Sequence, residues 1–113
     1  MKRTMASPMR KASDIGAIRR RGKRYEEGQV VVYVLPSEDW TRVGFVSSRN
    51  VGGAVARNRA RRLLREAWRG LAPRIRRNYD VVAVARSDIR GAKMQDVMAD
   101  MERALGAAGV MES

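Results

Sequence analysis

One stretch of this chain, Ala54–Leu71, constrains the fold most strongly, because its residues have the period of an amphipathic helix. Placed on a helix at about 100° per residue, its apolar residues share one side: Ala60, Leu63, Leu64, Ala67, Trp68 and Leu71. An adjoining side, called the arginine face below, carries five arginines and one asparagine: Arg57, Asn58, Arg61, Arg62, Arg65 and Arg69. Of the polar residues, only Arg59 and Glu66 fall clearly elsewhere. The apolar side of the helix is therefore expected to pack in a core, and the other side presents a dense positive charge.

The charge pattern of the arginine face indicates an anionic partner. A helix face that is merely solvated usually mixes charges of both signs, since opposite charges three or four residues apart stabilise a helix. Here Arg57, Arg61, Arg65 and Arg69 repeat at intervals of four, and like charges at that spacing destabilise an isolated helix. A solvated face is the alternative interpretation, but a nucleic acid would relieve the repulsion, and we favour it.

Composition narrows the class of protein. The 113 residues suit one domain, and 44% hydrophobic residues can supply its core. A net charge of +12 indicates a polyanionic partner such as RNA, DNA or an acidic membrane surface. The chain has no cysteine and no histidine, which excludes thiolate and Ser-His-Asp chemistry and removes the commonest metal ligands. The longest apolar run, Val30–Leu35, cannot span a bilayer, and the N-terminus lacks the apolar segment of a signal peptide, so we expect a cytoplasmic protein with no membrane contact.

Patterns outside the arginine-rich helix predict two further helices and three strands. The helices are Asp14–Arg21, which Ser13 caps and Gly22 ends, and Lys93–Ala107. The strands are Gln29–Leu35, Trp40–Ser47 and Tyr79–Ala85. The first two strands are expected to form an antiparallel hairpin, and the third to lie buried in the centre of the sheet. The predicted order is αββαβα in a single RNA-binding domain, residues 1–113, with a flexible basic arm at 1–11 and a frayed tail at 109–113.

Several side chains allow two interpretations. Trp68 borders the apolar and arginine faces of the helix, and we assign it to the core. Ile15 and Ile18 share one side of the first helix, which favours core contact. Tyr33 lies within a strand, where an aromatic residue is usually core, although on an open sheet face it can stack a nucleobase. The acidic residues are scattered rather than clustered as a two-metal nuclease requires, so the pattern is that of a binding protein with no catalytic residues.

The centre of the arginine-rich helix resembles the signature of the bacterial ribonuclease P protein subunits, R-N-R-x-[KR]-R-x-x-R. In this chain the motif is Arg-Asn-Arg-Ala-Arg-Arg-Leu-Leu-Arg, from Arg57 to Arg65. The approach to the helix is similar as well, in three segments: Arg42–Phe45, Ser48–Arg49 and Val51–Val55. With similar flanking strands and a similar first helix, the resemblance extends over about residues 10–108.

The resemblance implies a fold, a partner and a division of labour. The fold is an α/β (α+β) two-layer sandwich whose sheet contains an unusual left-handed βαβ crossover. The partner is a catalytic RNA, the ribonuclease P RNA, with which the protein cleaves precursor transfer RNA to leave a mature 5′ end. The RNA and its bound Mg²⁺ perform the chemistry, so the protein alone is not catalytic.

The resemblance also implies two sites. The residues that would bind the catalytic RNA, with Arg69 added from the helix periodicity, are Ser48, Arg49, Arg57, Asn58, Arg59, Arg61, Arg62, Arg65 and Arg69. The residues that would line a cleft for the single-stranded 5′ leader of the substrate are Ile15, Arg19 and Tyr33. Ile15 and Arg19 stand where the family usually has aromatic residues, but the guanidinium plane of Arg19 can itself stack or bind phosphate.

Three other functions compete with this one. A ribosomal or other structural RNA-binding protein would have the same composition, and only the ordered motif separates the two. An architectural DNA-binding protein is disfavoured because no helix-turn-helix pair is evident, so no DNA partner is expected. A self-sufficient nuclease is disfavoured by the lack of histidine, cysteine and clustered carboxylates.

Overall fold

The computed structural model of the protein describes residues 7–112. These residues form five strands and three α-helices: β1 (Ser7–Pro8), α1 (Ala12–Arg21), β2 (Lys23–Glu27), β3 (Val30–Pro36), β4 (Arg42–Ser47), α2 (Ala54–Leu71), β5 (Tyr79–Ala85) and α3 (Met94–Ala108). Short 3₁₀ turns precede α2, follow it and follow β5. The predicted mixed α/β fold class is confirmed, and α2 and β5 have the predicted bounds.

All five strands belong to one sheet, in the order β1-β4-β5-β3-β2. The central strand β5 runs parallel to β4 and antiparallel to β3. Parallel neighbours need a crossover connection, and here α2 supplies it, so β4, α2 and β5 form a βαβ unit like the one that the resemblance implied. The side chains of β5 are almost entirely buried, as the uncharged sequence after Asp80 predicted.

Helices cover both faces of the sheet to different extents. On one face α2 and α3 pack on alternate residues of the central strands, with Val32, Leu64, Ala83 and Leu105 fully buried in the main core. On the other face the shorter α1 covers a smaller cluster to which it contributes the buried Ile18. The predicted two-layer arrangement thus describes the sheet with α2 and α3, and α1 adds a third, partial layer.

The structure adds two strands to the predicted order, and they correct the predicted hairpin. β3 forms its hairpin with β2, through Gly28 at φ 53°, and not with β4. β5 lies between β3 and β4, so the predicted pairing of Gln29–Leu35 with Trp40–Ser47 is wrong. The reason is burial: β3 is apolar on both faces and takes a central place, whereas the charged β2, Lys-Arg-Tyr-Glu-Glu, suits the exposed edge.

The ends of elements and of the described chain differ from prediction as well. α1 begins at Ala12, so Ser13 lies inside the helix and makes no cap, although Gly22 ends the helix as predicted. The predicted flexible arm is ordered in its second half, because β1 pairs with β4 and Met9 is buried. The predicted frayed tail is also ordered in part, since Met111 is buried and bridges to Ile75. Residues 1–6 and 113 lie outside the described residues.

Candidate nucleic-acid interface

The packing of α2 fixes which of its sides meets solvent. Ala60, Leu64, Ala67 and Leu71 are buried in the main core, as the helical period predicted. Trp68 is buried with them and meets the ring of Phe45 edge-on, at 6.4 Å between centroids and 75° between planes. This confirms the assignment of Trp68 to the core. With the apolar side held in this way, α2 presents the arginine face outward.

The arginine face carries little compensating negative charge. Arg69 pairs with Glu66, one turn back, at 2.9 Å. Among the described residues, no carboxylate lies within 4 Å of the other four guanidinium groups, those of Arg57, Arg61, Arg62 and Arg65. Their positive charge is therefore open to an anion from outside the chain.

Three of these arginines are nevertheless held in place by neutral groups. Arg57 donates a hydrogen bond to the Gly52 carbonyl at 3.3 Å, and Arg61 donates to the side-chain oxygen of Asn58. The guanidinium carbon of Arg65 lies 5.5 Å from the centroid of the Phe45 ring. These contacts restrict the side chains without neutralising them, which reduces the entropy lost when they bind a phosphate.

The turn before α2 extends the same charged surface. The Ser48 hydroxyl accepts a hydrogen bond from the Asn50 amide at 3.1 Å and so caps the 3₁₀ turn that carries the exposed Arg49. Gly53 is the N-cap of α2 and provides no side-chain cap, and the first turn of the helix has no acidic residue. The partial positive charge of the helix N-terminus adds to that of Arg49 and Arg57.

Arg59 lies apart from the arginine face, as its helical position predicted. Its guanidinium donates to the Ala92 carbonyl, at 3.4 Å, in the segment that leads into α3. The structure therefore gathers Ser48, Arg49 and the arginine face into one surface and places Arg59 on its flank.

The three residues predicted to line a leader cleft do come together, on the opposite face of the sheet. Tyr33 projects from β3 toward α1, and Ile15 of α1 packs against the same small core. The guanidinium carbon of Arg19 lies 5.7 Å from the centroid of the Tyr33 ring. Tyr33 is only half-buried, so part of its side chain stays accessible.

Arg24 is a cation at this cleft that the sequence reasoning missed. It lies opposite Tyr33 in the pairing of β2 with β3. Hydrogen bonding to the Tyr33 side chain, and then to Glu26, raises the pKa of Arg24. Its guanidinium group also forms an ion pair with Glu26 at 3.0 Å. The signal was hidden because Lys23–Glu27 has no strand-like alternation of apolar residues.

Gly44 of β4 lets α1 approach the sheet closely enough to form the cleft. A Cβ atom at position 44 would lie 3.1 Å from the Cγ1 atom of Ile15, which is tighter than ordinary van der Waals contact. A glycine inside a strand often marks such a close approach. Gly44 thereby sets the position of Ile15 above the sheet.

Arg42 connects α1 to the centre of the sheet. Its Nε and Nη2 atoms donate to the two carboxylate oxygens of Asp80 at 2.9 and 3.0 Å, and its Nη1 atom lies 3.7 Å from Asp14. The hydrogen bond to Asp80 is the main cause that raises the pKa of Arg42. Asp80 is buried, so this pair ties Arg42 to the sheet and offsets its charge.

The described residues, 7–112, contain neither a metal-binding cluster nor a membrane-spanning helix. Residues 7–112 contain no group of three or more acidic side chains arranged to hold a metal ion. None of the helices within this range combines the length and the apolar character that crossing a membrane requires.

Known proteins resemble this chain over most of its length. The family model described as Ribonuclease P matches residues 4–109. The ribonuclease P protein component of Pelotomaculum thermopropionicum is 39% identical over 106 residues, which are 93% of this chain and 95% of the relative. That of Clostridioides difficile is 36% identical over 79% of this chain and 80% of the relative. The crystal structure of the Staphylococcus aureus RNase P protein has a TM-score of 0.82 at 26% identity and covers 96% of this chain and all of that one.

Proposed function

We propose that this chain, which belongs to the ribonuclease P protein family, binds the ribonuclease P RNA through the arginine face of α2 and the turn at Ser48–Arg49. Ribonuclease P matures the 5′ ends of transfer RNA, and the chain is the protein component of that enzyme. The observation that carries the proposal is the charge of α2, where four guanidinium groups lack a carboxylate partner among the described residues. A phosphate backbone supplies the missing negative charge.

The same proposal assigns the cleft between α1 and the sheet to the 5′ leader of precursor transfer RNA. Tyr33 offers a half-exposed aromatic ring on which an unpaired base can stack. Arg19 lies over that ring, and Arg24 flanks it, so a phosphate of the leader would meet a cation on either side. Because α1 and α2 cover opposite faces of the sheet, the leader and the catalytic RNA would meet adjoining surfaces of the protein, which come together where Ile15 and Arg65 line one cavity beside β1.

Cleavage itself is assigned to the RNA subunit and its bound Mg²⁺. The chain has no histidine or cysteine to act as general base or nucleophile, and its described acidic residues are not grouped around a metal position. We therefore assign the Mg²⁺ to the RNA and the substrate rather than to protein side chains. The protein would act in the cytoplasm, where the transfer RNA precursors are made.

A binding assay tests this function against that of a general structural RNA-binding protein. The full chain is titrated with ribonuclease P RNA and with a folded ribosomal RNA fragment of similar length, at the same ionic strength. We expect tighter binding to the ribonuclease P RNA, because the arginine face and the turn at Ser48 and Arg49 would fit one RNA surface rather than any phosphate backbone. Equal affinity for the two RNAs would favour the structural RNA-binding protein.

A further inference from the structure

Trp40 is an aromatic residue that belongs neither to the core, nor to the arginine face, nor to the cleft between α1 and the sheet. Trp68 is buried, whereas Trp40 is 52% exposed in the loop between β3 and β4. A single exposed apolar side chain is common on protein surfaces and carries no argument alone. The surroundings of Trp40 decide whether it can bind anything.

The backbone on both sides of Trp40 is anchored to the segment that follows α2. Thr41 is fully buried, and its hydroxyl donates to the Arg76 carbonyl at 2.7 Å and accepts from the Tyr79 amide at 3.3 Å. The side-chain amide of Asn78 donates to the Asp39 carbonyl at 2.9 Å. Trp40 therefore projects from a loop whose position is fixed before any ligand binds.

The same anchoring brings one cation, Arg77, to the indole. The guanidinium carbon of Arg77 lies 4.9 Å from the centroid of the Trp40 ring. Arg76 and Arg77 are exposed, and in residues 7–112 neither has a carboxylate within 4 Å, whereas Arg74 pairs with Glu102 at 2.9 Å. An accessible indole beside a planar guanidinium group matches the way in which proteins stack unpaired nucleobases and hold the adjacent phosphates.

We propose that Trp40 and Arg77 form a second RNA contact, at which an unpaired nucleobase stacks on the indole and Arg77 binds a neighbouring phosphate. This inference rests on the proposed function, because it takes RNA as the partner of the chain. The contact follows the C-terminal end of α2, whereas Ser48, Arg49 and Arg57 lie at its N-terminal end. The 18 residues of the helix span about 27 Å.

The charge around Trp40 indicates that stacking, more than phosphate binding, supplies the affinity. Glu38 and Asp39 precede the indole and offset part of the charge of Arg76 and Arg77. Loss of the indole should then lower the affinity with little change in its salt dependence, because few counterions are released at this contact. That behaviour differs from the one expected of the arginine face.

The test uses the full chain with Trp40→Ala, Trp40→Phe and Arg61→Ala, the last as an independent test of RNA binding by α2. Each variant is titrated with ribonuclease P RNA, and each reconstituted holoenzyme with precursor transfer RNA. We expect Trp40→Ala to weaken at least one of the two by about fivefold or more, and Trp40→Phe to keep most of the affinity because it keeps a ring. Loss in the first titration assigns the base to the catalytic RNA, and loss in the second alone assigns it to the substrate.

Fluorescence gives a second measurement that does not depend on the stability of the alanine variant. Stacking should quench the emission of Trp40 in the wild-type chain when RNA is added. Trp40→Phe, in which only the buried Trp68 emits, should lose most of that quenching. Wild-type affinity of Trp40→Ala for both RNAs, or quenching in Trp40→Phe as large as in the wild-type chain, would overturn the second contact. If Arg61→Ala weakens binding in that case, the proposed function stands without it, whereas wild-type affinity of both variants would contradict both proposals.

Discussion

Tyr33 tests the leader cleft at the scale of one residue. A base stacked on an aromatic side chain contributes about 1–3 kcal/mol, which is roughly five- to a hundredfold in affinity. Tyr33→Ala should weaken holoenzyme binding to precursor transfer RNA with a leader of several nucleotides, and leave binding to mature transfer RNA nearly unchanged. Tyr33→Phe should have a mild effect, because stacking needs the ring and not the hydroxyl. The dissociation constants of the two substrates measure the difference.

A purely structural role of Tyr33 would give a different result. Tyr33 packs against the small core under α1, so truncation could lower the melting temperature by several degrees. Thermal melts of the same variants are the control. Equal loss of affinity for the substrates with and without a leader would count against the cleft.

Arg42 is predicted to matter for stability and not for RNA contact. Arg42→Ala would leave the buried Asp80 carboxylate without its two hydrogen bonds, which should cost about 1–3 kcal/mol of unfolding free energy. Arg42→Lys should cost less than Arg42→Ala, because an ammonium group keeps the positive charge. It should still lower the stability, since an ammonium group cannot make the paired hydrogen bonds. Denaturant unfolding measures both, with Arg49→Ala as the control at an exposed arginine. Equal stability of Arg42→Ala and the control would show that the pair contributes little.

For single residues, the sequence predicted the exposure or burial of those that belong to a regular helical period. It missed the residues whose surroundings depend on strand pairing. The arginine face and the burial of Trp68 follow from the period of one helix. Arg24 beside Tyr33 depends on the pairing of β2 with β3, and β2 gave no apolar alternation. Trp40 was assigned to a strand, yet it precedes β4 and lies exposed because Thr41 takes the buried position.

At the scale of one element, α2 should make RNA binding strongly dependent on salt. Each arginine that binds a phosphate releases counterions, so Arg61→Ala or Arg62→Ala should weaken binding to the ribonuclease P RNA and lower the magnitude of the salt slope by about one. Lys93→Ala removes one exposed positive charge at the start of α3 and serves as the matched control. Binding isotherms from low to moderate salt give the slopes. If both arginine variants keep the wild-type affinity and slope, the arginine face is merely solvated.

The elements themselves show which patterns identify a strand or helix from sequence. α2 and β5 were predicted to the residue because each has a strong period or an unbroken apolar run. β1 has only two residues and is a strand because it pairs with β4, and the charged β2 is a strand because it pairs with β3. Neither segment has an apolar alternation that would identify it as a strand from sequence. The hairpin prediction failed for the same reason, because neighbours in sequence are not always neighbours in a sheet.

At the scale of the whole molecule, the sheet separates two surfaces. α2 presents its arginines on one face, and α1 and β3 form the proposed leader cleft on the other. The sequence alone could not have placed them, because the order of strands is set by burial across the whole sheet. The resemblance to the ribonuclease P proteins predicted the βαβ unit. The strand order in the structure then determines the face of the sheet on which each predicted site lies.

Cleavage of precursor transfer RNA at low Mg²⁺ tests the division of labour between protein and RNA. Scrupulously purified protein, ribonuclease P RNA and the mixture of the two are compared on the same substrate. The protein alone should not cleave, and the mixture should produce the mature 5′ end faster than the RNA alone. Mg²⁺-dependent 5′ cleavage by the protein alone, or a rate for the mixture equal to that of the RNA alone, would contradict this assignment.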